Sequence, residues 1–297
     1  MKSHLLQNKL RKFDFGNNHS MGISRKYEKL FKKNGINLCY NSFIPAQYNP
    51  SKRNILLALE SPAVVEYQKW LSPEMKFDAE ISFGNFYQLE NYLCCRDLYV
   101  NNDNFINIIP GTLFKNKPGK VSIVCSSRQH LKGHKFRHSI VNQLSGKADV
   151  FGSGYQRFGN IDNAFTDYKF QIVVENGKYP EYVSEKLFDC VKTQTIPIYW
   201  GGELALQKLG FNPEGFIFFD NLQELTSIIE GLTDKVYAKK YDAVLYNLHR
   251  LIELRNENKM NFYLNSVMLK YMHTTESYLG YKFNLLNLFL DKIVKKD

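Results

Sequence analysis

At 297 residues and 44% hydrophobic content, the chain is long enough for one large domain or two of ordinary size, which excludes a miniature fold stapled by disulfides or metal. Thirty-nine Lys and Arg against 29 Asp and Glu leave a formal charge of +10, which fits an anionic partner: nucleic acid, a membrane surface or a phosphorylated small molecule. No run of 18 apolar residues is free of charge and the N-terminus lacks a signal-peptide core, so the expectation is a soluble or peripheral, cytoplasmic protein.

In chain order, Lys9, Arg11, Lys12, Arg25, Lys26, Lys29, Lys32 and Lys33 crowd the first 33 residues, and "KIVKK" closes the chain. These termini read either as a solvated basic face or as contacts with an anionic inner membrane surface, at roughly 1 kcal/mol per basic residue near the lipid. The first half then offers three apolar runs as strands: "INLCY" (36–40), "NILLALE" (54–60) and "AEISFG" (79–84). Glu60 closes the second of these, and Ser61-Pro62 stops it from running on.

"IIPGTLFKNKPGKV" (108–121) has two Pro-Gly pairs around a basic, weakly periodic stretch, and is the clearest boundary. Beyond it the apolar runs are short and β-branched: "VSIVCSS" (121–127), "ADVFG" (148–152), "FQIVVEN" (170–176), "IPIYWG" (196–201) and "GFIFF" (215–219). Helical patterns separate several of them, such as Phe136, Ile140, Val141 and Leu144, or Leu187, Cys190 and Val191. Near-continuous apolar strands alternating with helices indicate a parallel sheet covered on both faces. The final "YKFNLLNLFLDKIVKKD" has amphipathic helical spacing and is expected to pack back on the cleft between the two halves rather than on a membrane.

The five cysteines, Cys39, Cys94, Cys95, Cys125 and Cys190, are odd in number and follow no metal-ligand spacing. They read as free thiols in a reducing compartment. His130, His134 and His138 recur every four residues, which on one helix would align three imidazoles. Gly133 interrupts the segment and no carboxylate or cysteine lies close in sequence, so the reading is a basic helix face and no metal site.

The richest stretch is "FQIVVENGKYPEYVSEKLFDCVKTQTIPIYWGG" (170–202). In a parallel α/β domain, ligands bind beyond the carboxyl ends of strands and at the starts of the following helices. The strand brings Glu175 and Asn176 to that rim, a turn follows through Gly177 and Pro180, and Ser184 suits the N-cap of a helix beginning at Glu185. Lys186 in the first turn opposes the helix dipole unless an anion sits there, while a carboxylate such as Glu185 accepts hydrogen bonds from sugar hydroxyls. A sugar nucleotide satisfies both residues; the plain alternative is a pair of helix-start charges.

These residues resemble the donor-site signature of the α-1,3/1,4-fucosyltransferases, glycosyltransferase family 10. There a strand ending in Glu-Asn is followed by Tyr-Val-Thr-Glu-Lys and a Pro-containing strand with a glycine turn, matched here by "FQIVVEN", "YVSEK" and "IPIYWGG". Upstream, "VSIVCSS" before a helix containing Arg137 and then "ADVFGSG", and "NILLALESP" before "FDAEISFG", resemble further family stretches in the same order.

The resemblance implies an α/β fold of GT-B type, two Rossmann-like α/β domains facing across a cleft. Residues 1–110 would form the acceptor-side domain with the base, 111–120 a linker, 121–270 the GDP-sugar domain and 271–297 a helical tail. It implies an inverting, metal-independent transfer of L-fucose from GDP-β-L-fucose to a hydroxyl, O3 of GlcNAc or glucose, on an oligosaccharide or glycolipid. Glu60 would be the general base; Arg137 and Lys186 would stabilise the GDP leaving group; Asn176, Tyr182, Glu185 and Ser126 would contact the donor. No obligatory cofactor is expected beyond GDP-fucose as donor substrate. A bacterial or viral enzyme is the natural expectation, since the membrane anchor and stem of eukaryotic members find no match here. Two alternatives remain: the same scaffold with a different nucleotide sugar, and a basic, aromatic-rich nucleic-acid binder. No nucleic acid is expected, because the charge gathers at the termini rather than around the aromatic strands.

Overall fold

The structure is a computed structural model that describes residues 35–40, 44–58, 60–69, 71–82, 91–93, 110–115, 117–156 and 163–256. The basic N-terminal cluster, Cys94, Cys95 and the 271–297 tail lie outside them. The described chain is mixed α/β with two parallel sheets, the class expected from sequence.

The first sheet has the order β1-β2-β3-β4, with β1 at Ile36–Tyr40, β2 at Arg53–Ala58, β3 at Ala79–Ser82 and β4 at Asn91–Leu93. A short helix, α1 (Ile44–Gln47), leads from β1 towards β2. Ile55, Leu56, Leu57 and Ala58 are all fully buried, which is why this strand reads as a continuous apolar run rather than an alternating one. Strand β4, which no apolar run announced, pairs Glu80 with Asn91 and Ser82 with Leu93. Three residues are too few for a periodicity to show.

The second sheet has the order β6-β5-β7-β8-β9. Its strands are β5 (Gly119–Val124), β6 (Asp149–Phe151), β7 (Tyr168–Val174), β8 (Ile196–Trp200) and β9 (Ile217–Phe218). Helices α3 (Lys132–Gln143), α4 (Asn163–Thr166), α5 (Glu185–Lys192) and α6 (Glu203–Leu209) alternate with them; α7 (Leu222–Gly231), α8 (Asp234–Lys239) and α9 (Tyr241–Asn256) follow. The strands partition their side chains by the two-residue repeat of a pleat. Phe170, Ile172 and Val174 of β7 and Ile196, Ile198 and Trp200 of β8 join one core with Ile140, Leu144 and Leu225. Val173 and Tyr199 face the opposite core with Leu187, Phe188, Val191 and Leu251. Burying each of the larger side chains contributes about 1.5–3 kcal/mol, so both faces anchor the strand ends where ligands bind in such sheets.

Residues 111–120, expected as a linker, are tied to the second sheet. They contain α2 (Thr112–Lys115) and the first residues of β5. Phe114 is buried and stacks on Tyr237 at 4.0 Å between centroids, and the Gly111 N–H donates to Gln194 Oε1 at 2.8 Å. The buried Lys117 ammonium donates to Phe165 O (3.1 Å), Thr166 O (2.8 Å) and Thr195 Oγ1 (2.9 Å), closing the end of α4. Two Pro-Gly pairs therefore mark turns in a packed segment, not a flexible tether.

The loop between β7 and α5 reaches the first unit. Tyr182, 7% exposed, shares one apolar cluster with Cys39, Leu56, Ala58, Val65, Tyr67 and Phe77, and Tyr179 packs against it.

Candidate active site

The chain leaves β5 through α3 to β6 on one side and returns through α4 to β7 on the other. This reversal opens a crevice beyond the carboxyl ends of β5 and β7, the usual ligand position in such sheets. The starts of α3 and α5 border it.

At α5, Ser184 takes the N-cap position with extended backbone, yet it makes no side-chain cap bond. Its N–H donates to Glu175 Oε1 at 2.9 Å and its hydroxyl to Glu175 Oε2 at 2.7 Å. The expected hydroxyl cap is absent: the hydroxyl proton goes to a carboxylate nine residues earlier, and the hydroxyl oxygen accepts from Lys186 Nζ instead of from a backbone N–H of the first turn. Glu175 is wholly buried and also accepts from the Tyr199 hydroxyl at 3.4 Å. Burial and then this carboxylate push the Tyr199 hydroxyl well above its ordinary pKa range. Lys186 completes the group: Nζ donates to Ser184 Oγ (2.8 Å) and Glu185 Oε1 (3.2 Å) and lies 3.6 Å from Glu175 Oε2. The Lys186 and Glu185 side chains remain 30% and 45% exposed.

At α3, Gly133 permits a close approach that no other residue allows: a Cβ there would lie 1.9 Å from the Glu175 carbonyl oxygen. The Gly133 N–H donates to Asn176 O at 3.0 Å, locking the helix start to the end of β7. Arg137, one turn further, is buried and donates through Nη2 to Val174 O at 2.6 Å. Burial lowers its pKa while Glu175 and Glu185 oppose that shift; an arginine in such a place keeps its charge.

The histidines divide. His130 precedes the helix, and its ring meets His134 edge-to-face at 4.8 Å. His138 is partnered, with Nδ1 3.1 Å from the Tyr155 hydroxyl and Nε2 3.2 Å from Arg128 O. His134 is 6% exposed and its Nδ1 has no hydrogen-bond partner among the described residues. Burial first, then Arg137, His130, Arg128 and Lys186, lower its pKa to about 4. Among the described residues no group of three His, Cys, Asp or Glu is arranged to hold a metal ion.

The structure therefore gathers Arg137, Asn176, Glu185 and Lys186 around the end of β7. Ser126 is half-buried just past the end of β5, and the Asn176 side chain makes no hydrogen bond among the described residues. Tyr182 is turned into the first unit's core. Glu60 is half-buried two residues beyond β2, with its carbonyl accepting from the Tyr67 hydroxyl at 3.1 Å. Tyr67 and Tyr182 share one cluster, so the residue whose hydroxyl holds Glu60's carbonyl packs in the same core as the β7–α5 loop. Sequence reasoning missed what Glu175 does, since its partner is fixed only by the fold, and it grouped His134 with two histidines of different surroundings.

Residues 115–246 match the family described as Glycosyltransferase family 10 (fucosyltransferase) C-term. Over that stretch the chain is similar to family 10. Alpha-(1,3)-fucosyltransferase B of Drosophila melanogaster is 29% identical over 115 residues, covering 39% of this chain and 24% of that protein. Alpha-(1,3)-fucosyltransferase FucT of Helicobacter pylori is 31% identical over 105 residues, covering 32% of this chain and 22% of that protein. The matched stretches thus span about a quarter of those relatives. A solved alpha1,3-fucosyltransferase with GDP-fucose aligns at TM-score 0.45 and 22% identity over 71% of this chain and 69% of its own. The matched stretch holds β5 to β9 and every group described at the starts of α3 and α5.

Proposed function

We propose that the chain is an inverting glycosyltransferase that moves L-fucose from GDP-β-L-fucose to a hydroxyl of an oligosaccharide or glycolipid. The observation that carries this reading is the pairing of Arg137 and Lys186 across the end of β7, inside the stretch similar to family 10. Expulsion of GDP concentrates negative charge on the β-phosphate, and two fixed cations stabilise that charge more than the bound substrate's. Arg137 offers a planar fork held by Val174 O, and Lys186 a point charge held by Ser184. Glu185, half-exposed beside Lys186, is placed to accept hydrogen bonds from ribose or fucose hydroxyls; Asn176 and Ser126 supply further polar groups at the rim.

Glu60 acts as general base. It removes the acceptor hydroxyl's proton as that oxygen attacks the anomeric carbon from the face opposite GDP, giving an α-L-fucoside in one displacement. The acceptor hydroxyl is O3 of GlcNAc or glucose, and no metal takes part. Localisation belongs to the same proposal: cytoplasmic, with peripheral attachment to an anionic membrane through the basic termini. Absence of binding to anionic vesicles in a flotation assay sinks that attachment.

The first test is thermal melting with GDP, UDP, CDP and ADP, each with and without EDTA. Stabilisation by GDP alone, indifferent to EDTA, supports the donor assignment; stabilisation by another nucleotide, or none, overturns it. Glu60→Gln is then expected to lower transfer by about 10²–10⁴-fold while leaving GDP affinity nearly unchanged; retention of transfer would require a different base.

A further inference from the structure

His134 and His138 sit one turn apart on α3, and the fold treats them differently. Both ring nitrogens of His138 have internal partners, Tyr155 and Arg128, as a structural histidine of a core does. His134 is more deeply enclosed, 6% exposed, yet its Nδ1 is left without a partner among the described residues. A buried polar atom without a partner costs stability, and its retention calls for an explanation.

The surroundings say what would complete it. His134 stands in the first turn of a 12-residue helix whose N-cap, Leu131, supplies no side-chain cap. The start is pinned to Asn176 through Gly133, so the imidazole cannot swing away with the helix. The charged and titratable groups facing it are Arg137 of its own helix, His130 and Arg128 of the preceding loop, and Lys186 of α5. Glu175, the carboxylate in contact with Lys186, is already committed to Ser184 and Tyr199. A ring nitrogen surrounded by cations, at the positive end of a helix, is complemented by an anionic acceptor.

We propose that the His134 side chain donates a hydrogen bond to a phosphoryl oxygen of the nucleoside diphosphate, together with Arg137 and Lys186. This rests on the sugar-nucleotide reading above and adds a binding residue to it. In the unliganded protein the imidazole is neutral and its Nδ1 lacks a partner among the described residues; the diphosphate supplies an acceptor and offsets the neighbouring cations.

The test is titration calorimetry of wild type, His134→Leu and His134→Gln with GDP and separately with inorganic pyrophosphate, beside melting of each protein without ligand. For His134→Leu the expected result is about tenfold or greater weakening for both ligands, with an unliganded melting temperature equal to or above wild type. His134→Gln, which keeps an N–H donor, falls between. Wild-type affinity in His134→Leu overturns the proposal, and a fall in melting temperature with unchanged affinity assigns the histidine to the core and does the same. Wild type that binds pyrophosphate but not GDP removes the GDP donor reading alone, and the pyrophosphate arm still decides His134. Wild type that binds neither removes both.

Discussion

Two helices begin on either side of the end of β7, and their starts are built in opposite ways. At α5 the polar groups are satisfied from inside: Glu175 takes the Ser184 N–H and hydroxyl, and Lys186 closes the cluster. Neither helix has a side-chain cap bond, but at α3 Arg137 uses Nη2 on Val174 O and the buried His134 Nδ1 has no partner among the described residues. At one start the buried polar groups find partners inside the protein; at the other a buried ring nitrogen does not. The difference separates rigidity from readiness: the clamp at α5 fixes the position of Lys186 and Glu185, and the start of α3 leaves the His134 Nδ1 without a partner among the described residues.

The largest expected effect comes from breaking the completed start. Glu175→Ala leaves the Ser184 N–H and hydroxyl without their acceptor in a buried place and removes the buried carboxylate beside Lys186, a loss of about 3–5 kcal/mol. For a chain of this size that corresponds to a fall in melting temperature of roughly 10 °C. Differential scanning calorimetry checks it, and a fall of only a degree or two would show that the carboxylate does not hold α5.

The start of α3 should respond to ligand more than to heat. Arg137→Lys keeps the charge but loses the planar fork, and is expected to lower turnover about 10²-fold with a smaller change in melting temperature than Glu175→Ala. Steady-state rates at saturating donor and unliganded melting separate the two quantities. Equal turnover in both proteins would mean that a point charge suffices at this place.

How much of this was legible from sequence depends on the range of each interaction. β7 and β8 show themselves because burial on both faces turns them into unbroken apolar runs, and the Glu185-Lys186 pair shows itself through its place after a turn. Strand β4 does not, being three residues recruited by the edge of β3. The 111–120 segment misleads because proline and glycine report local backbone angles, whereas its packing is decided by Tyr237, more than a hundred residues away. Ser184 misleads for the same reason: local chemistry favours a hydroxyl cap, and a carboxylate brought back by the β7–α5 loop takes the hydroxyl instead. The spacing of the three histidines was visible, but what distinguishes His134 from His138 is Tyr155 and the carbonyl of Arg128.

The smallest effect sharpens the comparison most, because it reads the start of α3 without disturbing the other. His134 has a folded pKa of about 4 against an ordinary 6.5, so between these values the unfolded chain binds a proton that the folded chain refuses. Stability from this group is complete above pH 6.5 and is lost as pH falls towards 4, by up to about 3 kcal/mol. Between pH 7 and 5 the loss is about 2 kcal/mol, and His134→Leu should lack it. Other carboxylates and histidines titrate alike in both proteins, so the difference between their melting curves against pH isolates this one group. Saturating GDP places negative charge beside the ring, raises its pKa and flattens the wild-type curve over that window. Parallel curves for wild type and His134→Leu would show that the cations around His134 do not hold it neutral, and the contrast between the two helix starts would then rest on Arg137 alone.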